Sequence, residues 1–256
     1  MVFLCPSSKT ETVDLLAAPL SDICNLSFEH GVFPDKLKIA KILPVFKSDD
    51  PKVFEELFYL RILQFLTKFN ILNHHQYGFA PYHSTAMAIL ELVNNIYEGF
   101  ENNQYTIGAF IDLKKASDTV NHEILQDKVN FCGIRGIPLA WLARYLSHRQ
   151  QCVMIHDHAS TYNTVVCGVP RGSVLGPLLF PLHINDLFHV SNPLSINLFA
   201  DETNIFFRHN DLPSLVSILN VELARVSSWF NANKLTVHPD KSKVIIFHPR
   251  CKQINL

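Results

Sequence analysis

Gly108-Ala-Phe-Ile-Asp112-Leu-Lys-Lys-Ala-Ser-Asp118 and, further along the chain, Leu198-Phe-Ala-Asp201-Glu202-Thr203 each read as an apolar, β-rich run ending on a carboxylate. Apolar strands normally avoid Asp. A carboxylate at the end of one strand, matched by an acidic pair at the tip of a second, points to a hard cation between them. Mg²⁺ in phosphate chemistry is the ion this pattern selects. Asp also favours turns and strand ends by hydrogen-bonding its own backbone, and either segment alone would be read that way. The stretch between them shifts the balance: Cys167-Gly168-Val169-Pro170-Arg171-Gly172-Ser173-Val174-Leu175-Gly176-Pro177-Leu178-Leu179-Phe180, followed by Ile184-Asn185-Asp186-Leu187. Its Gly and Pro residues, leading into an apolar helix-like run, describe a tight loop that brings backbone into close approach.

Around these segments the periodicity predicts a helix over 13–28, a Pro-punctuated strand over 38–47, and helices over 52–69 and 84–100. A strand over 105–112 and a helix over 121–131 follow, the helix carrying Ile124, Leu125 and Val129 on one side. Short strands at 151–155 and 164–167 precede a helix at 174–187. A hairpin, 196–200 with 203–207, holds Asp201 and Glu202 in its turn. Leu215, Ile218, Leu219, Leu223, Val226 and Trp229 keep helical spacing, interrupted by Glu222, before a last strand at 244–247. Strand, helix, hairpin, helix and strand describe a split βαβ unit.

In order and spacing these segments resemble the palm motifs of reverse transcriptases from non-LTR (LINE-type) retrotransposons: F-x-D-L-x-K-A-F-D-T-V-x-H, then G-V-P-Q-G-S-V-L-G-P-L-L-F, then F-A-D-D-T. Upstream, Gly31-Val-Phe-Pro34, Lys41-Ile-Leu-Pro44-Val-Phe-Lys47, Gln76-Tyr-Gly78-Phe79 and His83-Ser84-Thr85 resemble the fingers of that family. Downstream, Trp229-Phe-Asn-Ala-Asn233-Lys-Leu235 and Lys241-Ser-Lys-Val-Ile-Ile-Phe247 resemble its last palm motif. The collinear match runs roughly from residue 15 to residue 248. It implies an α+β right-hand polymerase palm, an antiparallel sheet with helices on one face, over residues 101–256. Partial helical fingers would occupy residues 1–100, with no thumb after the last palm strand.

The resemblance also implies a chemistry. Asp112 and Asp201 would share two Mg²⁺ (or Mn²⁺) ions, Glu202 would fill the second acidic position, and the carbonyl of Leu113 would add a ligand. Lys241 would pass a proton to pyrophosphate. Ser117, Arg171 and Gly172 would face the incoming nucleotide. Template and primer would be RNA and DNA, with deoxynucleoside triphosphates as substrates, and a thumb would have to come from a partner chain.

Departures from the family pattern fall on the site itself. Glu202 stands where the family has Asp, and an extra methylene that displaces a carboxylate by about 1 Å costs on the order of 100-fold where geometry governs rate. Ser117 replaces an aromatic ring that lies under the sugar in the family, which relaxes discrimination against ribonucleotides. Arg171 replaces Gln and puts a permanent cation at the loop. Between Lys47 and Lys52 the family's block carrying a triphosphate-binding Arg is missing, and Phe79 is not followed by the usual Arg. Together these favour a weakened or inactive copy. The alternative is a noncatalytic nucleic-acid-binding or interaction module that keeps the palm as a scaffold.

Composition sets the remaining bounds. At 256 residues with 48% hydrophobic content the chain buries a sizeable core in one or two domains. A net charge of −1 provides no global basic field, which weighs against strong unassisted nucleic-acid binding and leaves a local basic face open. The 6 Cys form no C-x-x-C pair, so reduced thiols in an intracellular protein, nuclear or cytoplasmic by the family's way of life, are expected rather than a zinc site or disulfides. His74-His75 and His156-x-His158 lack a matching ligand pattern. No segment has the length and apolarity of a membrane span or signal core.

Overall fold

In the computed structural model, which describes residues 21–42, 53–155, 158–170 and 172–252, the two carboxylate-bearing segments belong to neighbouring strands of one sheet. The chain divides into two compact units, each discontinuous in sequence: Met1–Asp50 with Val129–Val166, and Pro51–Lys128 with Cys167–Leu256.

The first unit is built around aromatic packing. A helix over 21–30 (α1) and α6 (Ile137–Leu146) supply Phe28, Trp141 and Tyr145, and Phe33 follows α1. Trp141 and Tyr145 stack with centroids 5.7 Å apart, while Phe33 meets both edge-on at 5.3 and 5.0 Å. The Trp141 indole N–H, which a core must satisfy, donates to Ser27 Oγ at 3.0 Å. β1 (Ile39–Ile42) pairs in parallel with β3 (Arg149–Ile155), which also pairs antiparallel with β4 (His158–Ala159) and β5 (Asn163–Val165). The stretch read as continuing the first strand through 43–47 lies outside the described residues, as does the Lys47–Lys52 junction.

The second unit holds α2 (Val53–Lys68), α3 (Thr85–Glu101), β2 (Tyr105–Ile111), the short α4 (Ala116–Thr119) and the start of α5 (His122–Phe131). It resumes with α7 (Gly176–Ile184), β6 (Ser195–Phe199), β7 (Glu202–His209), α8 (Leu212–Ala232) and β8 (Lys243–Phe247). The sheet order is β6-β7-β2-β8, every pairing antiparallel. β2 and β6 therefore run parallel with β7 between them, and β7 and β8 run parallel with β2 between them. This is an α+β arrangement whose crossovers are helical.

Local sequence explains these elements. β2 is rich in β-branched and aromatic residues and is buried on both faces from Tyr105 to Ala109. α3 covers the Thr106 face, and Gly99 is what lets it approach, since a Cβ there would overlap the Thr106 side chain. α8 starts at Asp211, whose carboxylate accepts from Ser214 N–H at 2.9 Å, with Pro in its first turn. Leu215, Leu219, Glu222, Val226 and Phe230 form its buried stripe, and the one charge in that stripe, Glu222, is paired with Arg225 at 2.9 Å. α7 is buried nearly all round, as its uniformly apolar sequence requires. β8 is different: Val244 and Ile245 are exposed, and among the described residues no strand pairs with its outer edge.

His183, on α7, is fully buried. Burial, reinforced by the Lys128 ammonium, pushes its imidazole down to about 4 from the usual 6.5. Between those values the unfolded chain binds a proton that the folded chain does not, so stability falls as pH drops through this window. The full cost is on the order of 3 kcal/mol. Thermal unfolding from pH 7 to pH 4.5 is expected to show a midpoint falling with acidity, with a flatter slope in His183→Met; parallel slopes would rule this out.

Candidate active site

Asp112 is the first residue beyond β2, and Asp201 lies in the turn that joins β6 to β7. The ladder between β2 and β7 runs to Ile111 opposite Thr203, and Phe199 is opposite Glu202 across the hairpin. Extending the β2–β7 register by one step puts the backbone of Asp112 level with that of Glu202. All three carboxylates thus belong to one end of one sheet. Among the described residues no three His, Cys, Asp or Glu side chains are gathered as a metal-holding group.

The backbone at Asp112 is held from the β8 side. Its N–H donates to Ser242 Oγ at 3.2 Å, its carbonyl accepts from His238 N–H at 2.8 Å, and Ser242 Oγ donates to the His238 carbonyl at 2.9 Å. Leu113 is buried and forms an antiparallel bridge with Val237, and Lys114 N–H donates to the Thr236 carbonyl at 2.8 Å. Lys241 Nζ lies 3.4 Å from the Asp112 carboxylate. Lys241 and Asp112, named separately from their motifs, are thus a contact pair. The Lys241 side chain is 67% exposed, so the pair is solvent-screened and contributes little to stability.

Beside the acidic turn an open cleft of about 380 Å³ is lined by Phe79, Lys115, Ser117, Gly172, Ala200 and Asp201. Pro170 and Ser173 from the loop and Phe180 from α7 also line it. Ser117, Gly172 and Asp201 are brought together here, whereas Asp112, Leu113, Glu202 and Lys241 are not among the lining residues. Arg171 lies outside the described residues. Gly172 has φ +71°, and a Cβ there would meet no atom within 4 Å. Its backbone borders open space, as a loop meant for close approach must.

The loop is docked onto α4. Gly168 N–H donates to the Val120 carbonyl at 2.7 Å, Val169 N–H donates to the Ser117 carbonyl at 2.8 Å, and His122 Nε2 is 2.7 Å from the Gly168 carbonyl. Gly168, at φ +86°, has no room for a Cβ, which would fall 2.6 Å from the Asp118 carbonyl oxygen. Three non-glycine residues of the cleft, Phe79, Lys115 and Ala200, have φ of +57°, +49° and +54°. Left-handed backbone costs such residues on the order of 1–2 kcal/mol each and persists where surrounding structure imposes it, commonly at functional sites.

The segment Gln76-Tyr77-Gly78-Phe79, read from sequence as part of the fingers, runs along the outer edge of β6. Leu198 N–H donates to the His75 carbonyl at 2.9 Å, and Tyr77 N–H donates to the Leu198 carbonyl at 2.7 Å. Phe79, Lys115 and Ser242 lie inside motif segments, but their place at the cleft or against Asp112 comes from tertiary contacts with no local signature in the sequence.

The family described as reverse transcriptase (RNA-dependent DNA polymerase) matches residues 43–254. The chain belongs to this family. It is 29% identical over 250 residues to a probable RNA-directed DNA polymerase from transposon BS of Drosophila melanogaster, covering 87% of this chain and 27% of that protein. To the probable RNA-directed DNA polymerase from transposon X-element of the same organism it is 30% identical over 203 residues, or 77% of this chain and 22% of the relative. These are relatives of the non-LTR, LINE type, and this reverse transcriptase domain spans about a quarter of their length. A solved structure of telomerase from Candida tropicalis, in complex with a TWJ fragment of telomeric RNA, shares the fold with a TM-score of 0.54 at 12% identity, over 75% of this chain and 33% of that one.

At the cleft rim, a Cβ on Gly78 would lie 2.1 Å from the Ala200 backbone nitrogen. Gly78→Ala is therefore expected to cost about 1–3 kcal/mol by overpacking, read by thermal unfolding, and to raise hydrogen exchange across residues 198–203. Unchanged stability and exchange would mean the turn is not packed against Gly78.

Proposed function

We propose that this domain carries out RNA-templated DNA synthesis by nucleotidyl transfer, as its relatives' names describe for them. The observation that carries the reading is that the backbone positions of Asp112, Asp201 and Glu202 fall at one end of one sheet, with Asp201 in the cleft lined by Ser117 and Gly172. The interleaved strand order β6-β7-β2-β8 supports reading this sheet as the split βαβ core of a palm; palm over residues 101–256 and partial fingers over residues 1–100 belong to the same proposal.

The donor chemistry fits a divalent ion. Carboxylate oxygens are hard ligands suited to Mg²⁺ or Mn²⁺, and Asp201 and Glu202 are solvent-accessible, so their side chains are free to turn toward a shared ion. Asp112 and Asp201 would hold it, with Glu202 and the Leu113 carbonyl as further donors. What a bound ion supplies is activation of the primer hydroxyl and neutralisation of the triphosphate.

The chain's own groups do the rest. In this reading Lys241, whose Nζ lies 3.4 Å from the Asp112 carboxylate, gives a proton to departing pyrophosphate. Lys115, exposed at the cleft, offers an ammonium to a phosphate. Gly172 lets a nucleotide lie against backbone. Ser117 leaves room beside a sugar 2′-hydroxyl and can hydrogen-bond it, so deoxynucleoside and ribonucleoside triphosphates are both substrates in this reading. RNA template and DNA primer complete the assembly in this reading. Among the described residues no helix is long and apolar enough to cross a membrane.

Primer extension on an RNA template, with Mg²⁺ or Mn²⁺ and separate deoxynucleotide and ribonucleotide pools, tests this. Incorporation should vanish in Asp112→Ala, accept ribonucleotides, lose them in Ser117→Phe, and rise by on the order of 10–100-fold in Glu202→Asp. No incorporation by the folded protein, together with salt-sensitive hybrid binding unchanged in Asp112→Asn, would establish the noncatalytic binding module instead.

A further inference from the structure

Gln76 is 1% exposed, and its side-chain oxygen faces two backbone donors: Gly78 N–H at 2.9 Å and Ala200 N–H at 3.3 Å. Two donors converging on one atom require an acceptor, so the amide orientation is settled with Oε1 toward the turn. The main chain beside Gln76 is already fixed to β6 by the His75 and Tyr77 hydrogen bonds to Leu198, which leaves the side chain little freedom to wander. Ala200 is the residue just before Asp201 and is held at φ +54°, a conformation it adopts only under constraint. Gly78 closes the contact, because any side chain there would collide with the Ala200 nitrogen.

We infer that Gln76 is a positioning residue for the acidic turn: its amide oxygen holds the Ala200 backbone, and through it sets where the Asp201 carboxylate is presented. The inference rests on the polymerase reading for its catalytic consequence, but the hold on the turn is measurable without it. A buried amide suits this task. It supplies two acceptor lone pairs without charge, so it fixes the turn without drawing cations away from the carboxylates. Groups that orient metal ligands from behind typically change metal affinity or activity by 10–100-fold when removed.

Three readouts on the full chain test this. In the unmodified protein, amide hydrogen exchange at Ala200 should be at least about 100-fold slower than the unprotected rate, which an unheld turn amide would not show. Gln76→Met, similar in size but without the acceptor, should lose that protection and weaken Mn²⁺ binding about 10–100-fold by calorimetry without nucleotide. Gln76→Glu, which keeps the acceptor, should retain protection at Ala200. Asp112→Asn is the control that assigns the Mn²⁺ signal to this site.

Rapid exchange at Ala200 in the unmodified protein overturns the inference even if Gln76→Met does not fold. So does a folded Gln76→Met with unchanged Mn²⁺ affinity and unchanged exchange. A protein that binds no Mn²⁺, yet protects Ala200 and loses that protection in Gln76→Met, upholds the positioning role and overturns the metal-dependent reading instead.

Discussion

The antiparallel register between β2 and β7 is the constraint on which the site depends, because it alone brings Asp112 level with the acidic turn. Ile111 opposite Thr203 is the last pair, and the carboxylates follow directly from it. A shift of one residue would send every side chain of a strand to the opposite face. Burial enforces the register: Ile107, Ala109 and Ile205 occupy one face, and Thr106 and Phe206 the other, all nearly inaccessible to solvent. The hydrophobic pattern of two strands thus fixes the placement of charges that contribute nothing to the core.

The supports around that sheet end come from all sides. The segment leading into β8 delivers Ser242 and His238 to the backbone of Asp112, the 76–78 segment delivers an amide to the turn, and α4 carries the loop that shares the cleft with Asp201. Left-handed backbone at Phe79, Lys115 and Ala200 lines a single cleft. Strained residues collected in this way indicate that geometry at the cleft is imposed by surrounding structure rather than preferred locally. The departures at Ser117 and Glu202 lie on this intact frame, so they alter what the site contacts rather than how it is built.

Much of this was legible in the sequence. β2, the hairpin and α8 announce themselves by period and composition, and Glu222 could be seen as the odd charge in an apolar stripe. α6 could not, because Gly136 and Pro138 look like breakers although Pro in the first turn of a helix is a start signal. The single helix expected over 174–187 is split, with α7 giving way to a 3-10 turn at Asn185–His189, where the Asn185 side chain bonds to Ile71 and Asn73. The same limit holds at the site. Carboxylates, glycines and Ser117 are visible as motif residues, but Gln76 against Ala200, or Ser242 against Asp112, joins positions far apart in sequence and leaves no local signature.

The two outer strands of the sheet are finished differently. Along β6 the hydrogen-bonding edge is met by His75 and Tyr77. Along β8 the side chains of Val244 and Ile245 lie open to solvent, with Lys243 at the start of the strand. An apolar edge with no partner strand among the described residues is a template for intermolecular pairing, and a single lysine is modest protection against it. Association between copies of the domain at high concentration can therefore start at β8, and a charge placed at Ile245 would oppose pairing along that edge.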